Sequence, residues 1–206
     1  MRIAVINEVS ACPRNGDVVN ALNELGHTVL NLGMSDPAQQ PSLTYLHTGL
    51  MGALALKLKV CDFVVGGCGT GQGFMMSVMQ YPGVFCGLVT EPLDAWLFTR
   101  INDGNCVSLA LNKGYGWAAN LNLTMLFKEM FPETKEGGYP PARAESQADS
   151  RKRLCAISEG SHRSYEEIID NLDPALVSTV MAFAPFKAAV EAAEDCELKT
   201  KLLAMA

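Results

Sequence analysis

Val64-Val65-Gly66-Gly67-Cys68-Gly69-Thr70-Gly71-Gln72-Gly73 is the stretch that decides how this chain folds. With Phe63 before it, it opens as a short apolar run ending in glycines, the pattern of a buried strand over 63–67. A helix follows over 74–79. A thiol and a hydroxyl therefore sit between small residues at a strand–helix joint. Small residues let the backbone approach a ligand closely. Successive free N–H groups at a helix start make a nest for an anion, and the same N-terminus suits an ionised thiol. Pattern alone leaves a tight turn around an inert Cys68 equally open. The segment lacks the G-x-x-x-x-G-K-[ST] of a phosphate loop, and its alternate glycines do not make a clean dinucleotide fingerprint.

The flanks repeat the strand–helix alternation. Residues 3–6 are a mostly β-branched run. Val18, Val19, Leu22 and Leu25 recur at helical spacing before Gly26, a helix stop. A strand over 27–32, an apolar helix over 43–59, a strand over 84–89 and a helix over 93–99 follow. A strand over 106–111 and a helix over 117–131, stopped by Pro132, complete the series. This order predicts an α/β fold: three layers, α/β/α, around a mostly parallel five-stranded Rossmann-like sheet. The apolar strands do not alternate strictly, as expected when helices cover both faces. Ligand sites in such sheets lie at the carboxyl ends of strands, here 7–10, 66–73, 90–92 and 112–116. After Gly137-Gly138 the character changes. Residues 145–153 are polar and charged, and 165–172 and 174–193 read as helices. The expected division is residues 1–144 as the α/β domain and 145–206 as a helical C-terminal extension.

Composition narrows the function. The 206 residues are 49% hydrophobic and 18% charged, with 16 Lys and Arg against 22 Asp and Glu, a net charge of -6. An acidic chain without a basic run is a poor partner for nucleic acid, whose affinity rests on phosphate neutralisation. Seven cysteines, none at C-x-x-C spacing, fit reduced thiols in a cytoplasmic protein better than disulfides or a zinc knuckle. The N-terminus does not read as a signal peptide. The longest apolar stretch, 50–60, is cut by Lys57 and Lys59 and falls short of the about 20 residues a membrane span needs. With three histidines, none paired at ligand spacing, no metal site is expected.

Cys68-Gly69-Thr70-Gly71-Gln72-Gly73 resembles the C-G-T-G-x-G segment of the ribose-5-phosphate isomerase B and galactose-6-phosphate isomerase family. Four further elements agree in order and spacing: Asp62 before the strand, Pro82-Gly83-Val84, Asn102-Asp103-Gly104-Asn105 for N-D-x-N, and Glu136-Gly137-Gly138 for E-G-G. The resemblance covers roughly residues 1–143. It implies an aldose–ketose isomerase acting on a pentose or hexose, expected in phosphorylated form, through a cis-enediolate and without a cofactor. Cys68 would be the base and acid, and Thr70 would relay a proton between substrate oxygens. The N–H groups of Gly69, Gly71, Gln72 and Gly73, with Asn102, would hold the enediolate oxygen. Family members are dimers whose sites borrow residues from the partner, so at least a homodimer is expected.

The departures from the family pattern bear on substrate. Its Asp-His pair after the first strand becomes Glu8 and Val9. Its ring-opening His becomes Ile101, its Arg after the fifth strand Asn112, and its basic residue after E-G-G Tyr139. An Asp before the second helix becomes Thr44, while Tyr45 is kept and Arg143 survives. Weaker substrate-binding candidates are therefore Glu8, Tyr45, His47, Arg100, Asn112 and Arg143. Three explanations stay open: an unphosphorylated or differently placed substrate, substitution by residues such as Arg14, Arg100, His47 or Arg143, or a sugar-phosphate-binding or regulatory subunit without turnover. His47 reads first as a helix cap, and Cys61, Cys86 and Cys106 as core fillers. A thiol-dependent phosphatase would want an Arg within the 66–73 loop, and there is none.

Overall fold

The computed structural model describes residues 1–134 and 137–205. Five strands, β1 (Arg2–Asn7), β2 (Thr28–Asn31), β3 (Phe63–Cys68), β4 (Cys86–Val89) and β5 (Cys106–Ala110), form one sheet in the order β2-β1-β3-β5-β4. Every pairing is parallel, with Asn7 opposite Gly67 and Cys68 opposite Ala110. The chain steps from β1 outward to β2, then returns to place β3 on the other side of β1. The switch point of the sheet therefore lies between the carboxyl ends of β1 and β3, where Asn7 and Cys68 stand.

Residue parity along the strands sends side chains to two cores. Ile3, Val5, Phe63, Val65, Val107 and Leu109 pack against α1 (Asn15–Glu24), α4 (Pro92–Leu97) and α5 (Ala119–Met130). Ala4, Ile6, Val64 and Cys106 pack against α2 (Tyr45–Lys57) and α3 (Gln72–Val78). A π-helical turn, Phe98–Asn102, extends α4 toward β5. The central stretch of α2, from Thr48 to Ala55, is buried on every side. Its all-round apolar sequence follows from this: the sheet covers one face and C-terminal helices cover the other.

Those helices are α6 (Ala144–Ser161), α7 (Tyr165–Asn171), α8 (Pro174–Ala182), α9 (Ala184–Ala192) and α10 (Glu197–Ala204). Val177, Phe183, Phe186, Val190, Leu198 and Leu202 join the same core as α2 and the sheet. The single helix expected over 174–193 is two, bent by 88°. Pro185, in the first turn of α9, accounts for the break, since it cannot donate to a continuing helix. α6 clasps the domain by hydrogen bonds. Ser158 Oγ accepts from the Gly83 N–H at 3.0 Å, and Arg151 Nη1 donates to the Ile101 carbonyl at 2.9 Å. Tyr165 Oη donates to the Pro82 carbonyl at 2.9 Å. Among the described residues no single helix is long and apolar enough to cross a membrane.

Asp62, one of the motif residues, has an architectural job. It receives the Arg2 N–H at 2.8 Å and the Arg2 guanidinium at 2.6 Å, tying the starts of β1 and β3. Arg2 holds its carboxyl below the ordinary carboxylate range. The pair is solvent-exposed and contributes little to stability.

His27 packs edge-on against Phe131, ring centroids 4.9 Å apart, and among the described residues its Nε2 is buried without a partner. Burial, with the nearby N-terminal charge, holds it below its ordinary value of 6.5. A group with a depressed folded pKa contributes stability above its unfolded pKa that is lost as pH falls through the folded one. The urea midpoint is therefore expected to drop between pH 8 and pH 5.5. His27→Leu should reduce that drop, and an identical pH dependence in the variant would exclude His27 as its source.

Candidate active site

The carboxyl end of β3 delivers Cys68 to the switch point at 6% exposure. The ladder continues past it: Leu111 N–H donates to the Cys68 carbonyl at 3.1 Å, and Asn112 N–H to the Gly69 carbonyl at 3.0 Å. The chain then turns at Gly71, whose φ of +75° only glycine adopts cheaply. A Cβ there would also lie 2.6 Å from Leu88 Cδ1. Ser108 Oγ donates to the Gly71 carbonyl and pins the turn against β5. α3 starts immediately after, so the N–H groups of Gln72, Gly73 and Phe74 have no acceptor within the helix. Cys68 and this first turn share one loop, with Thr70 and Gln72 solvent-exposed on it.

Three neighbouring segments border the loop. After β1, Glu8 is buried at 6% exposure and accepts a short hydrogen bond from Ser10 Oγ. Asn112 Nδ2 donates to the Ser10 carbonyl at 2.8 Å, and both side chains crowd Gly69: a Cβ there would lie 3.3 Å from each. Tyr45, at the start of α2, lays its ring on Gly73, where a Cβ would come within 2.9 Å of the ring. His47 is a cap: with Thr44 it forms a capping box in which Nδ1 accepts the Thr44 N–H at 3.0 Å. Burial holds the His47 imidazole below its usual value, so it is a neutral acceptor near neutral pH. The structure thus gathers Cys68, Gly69, Thr70, Gly71, Gln72, Gly73, Glu8, Tyr45 and Asn112 at one edge of the sheet, with His47 in the same first turn of α2 as Tyr45.

The other cysteines of the strands and first loop are packing thiols. Burial pushes Cys61 up to about 12 and Cys106 well above the ordinary thiol value. Cys12 is also raised, by burial and then by Asp36 and Glu8, and its Sγ is bonded to the Val9 carbonyl at 3.0 Å.

The remaining candidates stand at the opposite edge. Asn102 closes the π-helical turn and is exposed ahead of β5. Four residues of β5, about 13 Å of strand, separate that edge from the Cys68 level. Arg100 stacks on Trp96 at 4.0 Å, with its Nε and Nη1 buried and unpartnered among the described residues. Arg143 lies on a short turn before α6, its Nε 3.3 Å from Ser146 Oγ. Asn102 and Arg143 line one cavity of about 480 Å³. Glu136 of the E-G-G element lies outside the described residues. Two residues were not singled out from sequence. Asn7 is fully buried beside the loop, neither side-chain atom having a partner among the described residues, and Arg151 lines the Asn102 cavity from α6. Asn7 was legible as a polar residue ending an apolar strand. Arg151 lies in a stretch with no apolar stripe.

Comparison with known proteins agrees with this geometry. The model of the ribose/galactose isomerase family matches residues 3–134. A ribose-5-phosphate isomerase structure from Vibrio parahaemolyticus is 38% identical, with 100% of this chain and 99% of that one covered, at a TM-score of 0.94. A 4-deoxy-L-threo-5-hexosulose-uronate ketol-isomerase, solved with a tartrate, is 34% identical over 98% of this chain and 97% of its own, at 0.91. The type B ribose 5-phosphate isomerase of Leishmania infantum, at 16% identity and a TM-score of 0.62, shares the fold over 78% of this chain and 98% of its own. No curated protein matches. The five-stranded parallel sheet, the glycine loop at its switch point and the match over most of the chain lead to one conclusion: the chain belongs to the ribose/galactose isomerase family.

Proposed function

We propose that this chain interconverts an aldose and its ketose, a pentose or hexose carrying an acidic group, with Cys68 as the proton-transferring residue and no cofactor. The observation that carries this reading is the position of Cys68, at the sheet's switch point and on the same loop as the unbonded first-turn N–H groups of α3. The Cys68 thiolate takes the proton from C2 of the open-chain aldose, leaving a C1=C2 enediolate. The same thiol returns a proton to C1. Thr70 carries the O2 proton to O1, so the ketose leaves with all atoms accounted for. Charge develops on the substrate oxygen in the transition state, and each preorganised donor there contributes about 3–4 kcal/mol.

Asn102 serves this chemistry from a second copy of the chain. In an isologous dimer the Cys68 edge of one subunit meets the Asn102 edge of the other twice, giving two equal sites. A phosphorylated sugar is the first substrate reading. A uronate is the second, favoured by Ile101, Asn112 and Tyr139 in place of the family's ring-opening and phosphate-binding residues, and by the 34% identity to the uronate ketol-isomerase. The free cysteines suit a reducing, cytoplasmic setting.

Incubation in heavy water with pentoses, hexoses, their phosphates and hexuronates, followed by NMR, tests the reading. Deuterium entering C1 or C2 of one acidic sugar is expected. Absence of exchange across the panel by a folded protein would replace it with the sugar-binding, non-catalytic subunit.

A further inference from the structure

The family model ends at residue 134, yet the cavity that holds Asn102 is walled by residues beyond it. Arg143, Gln147, Ser150 and Arg151 recur at helical spacing and line that cavity together with Ile101 and Asn102. Arg151 Nη1 donates to the Ile101 carbonyl at 2.9 Å, which fixes the guanidinium next to the residue preceding Asn102. That bond uses one of five donors. Among the described residues neither Arg143 nor Arg151 is in an ion pair. Two guanidiniums without an ion-pair partner among the described residues, around one cavity of about 480 Å³, suit an oxyanion with several acceptor oxygens.

We infer that Arg151, together with Arg143, binds the acidic end of the substrate, so that α6 of the C-terminal segment sets substrate specificity; Gln147 instead clamps the Tyr139 backbone, accepting its N–H at 3.0 Å and donating to its carbonyl at 2.7 Å. The inference rests on the proposed isomerase reading in placing this cavity, through Asn102, at the partner's Cys68 loop. Phosphate and carboxylate share the required chemistry. A bare structural role for Arg151, anchoring α6 to the π-helical turn, is the competing account.

The test compares matched pairs on the full-length protein: ribose 5-phosphate with ribose, and galacturonate with galactose. In Arg151→Gln the preference for the acidic member, as a ratio of kcat/KM values, is expected to fall about 10–100-fold through KM, as for a lost charge-assisted hydrogen bond. Arg151→Lys should recover part of it. The pair that responds identifies the anion as phosphate or carboxylate. A structural role would lower both members of a pair together, along with the thermal midpoint, and leave the ratio unchanged; that result overturns the inference. Calorimetric titration with inorganic phosphate and with tartrate decides the matter independently of turnover. Weaker binding in Arg151→Gln supports the inference, and equal binding, or none to the wild-type protein, overturns it. Lack of exchange by the wild-type protein with every sugar would instead count against the isomerase reading.

Discussion

Cys68→Ala is expected to lower kcat by about 10²–10⁴-fold, the contribution of a positioned general base. KM should change little, because the thiol is asked to move a proton and not to hold the sugar. The fold should survive. The backbone bonds around Cys68, including Leu111 N–H to its carbonyl at 3.1 Å, do not involve the side chain. Cys12→Ala is the matched control. Cys12 also lies near the loop, but burial raises its thiol and its Sγ is spent on the Val9 carbonyl. It should retain turnover. Steady-state rates and thermal midpoints on the two variants check this. A Cys68→Ala protein with near-normal kcat would remove the thiol from the mechanism.

Asn102→Ala should lower kcat by about 10²–10³-fold, the loss measured when one oxyanion donor is removed. Within one chain this is unexpected. Asn102 is exposed at the amino edge of β5, and about 13 Å of strand lies between it and the level of Cys68. Among the described residues no hydrogen bond holding the fold uses its side chain, so stability should be unaffected. Asn105, three residues on, is different. Its amide donates to the Gly83 carbonyl at 2.8 Å and accepts from the Phe85 N–H at 2.9 Å, so Asn105→Ala should lower the thermal midpoint instead. Asn102→Ala with full activity would sever the amino-edge residues from catalysis.

Particular residues show how far the sequence could be read. The 63–73 segment was legible because its apolar run, its glycines and the following helix are all local signals. β1, α1, α2 and β5 were legible for the same reason. The break between α8 and α9 was also written in the sequence, at Pro185, and an alanine-rich, apolar stretch masked it. α6 was not legible. Most of its surface faces solvent, and only Ser158 is buried, so it carries no apolar stripe to give a helical period away. α10 was missed as well, since its two buried leucines, Leu198 and Leu202, are too few to establish a period. At the site, residues following strand ends fell together as expected. The separation of Asn102 and Arg100 from Cys68 was readable from the parallel order, since both precede β5 while Cys68 ends β3; the meeting of Arg143 and Arg151 with Asn102 was not, because it depends on how α6 packs back on the π-helical turn about 40 residues earlier.

Co-expression of Cys68→Ala and Asn102→Ala chains tests the central claim most directly, that each site joins the Cys68 loop of one subunit to the Asn102 edge of another. Random pairing makes half the dimers mixed, and each mixed dimer holds one intact site and one doubly altered site. About a quarter of wild-type activity should return, although either variant alone is nearly inactive. Activity no greater than the sum of the two separate variants would contradict the shared site.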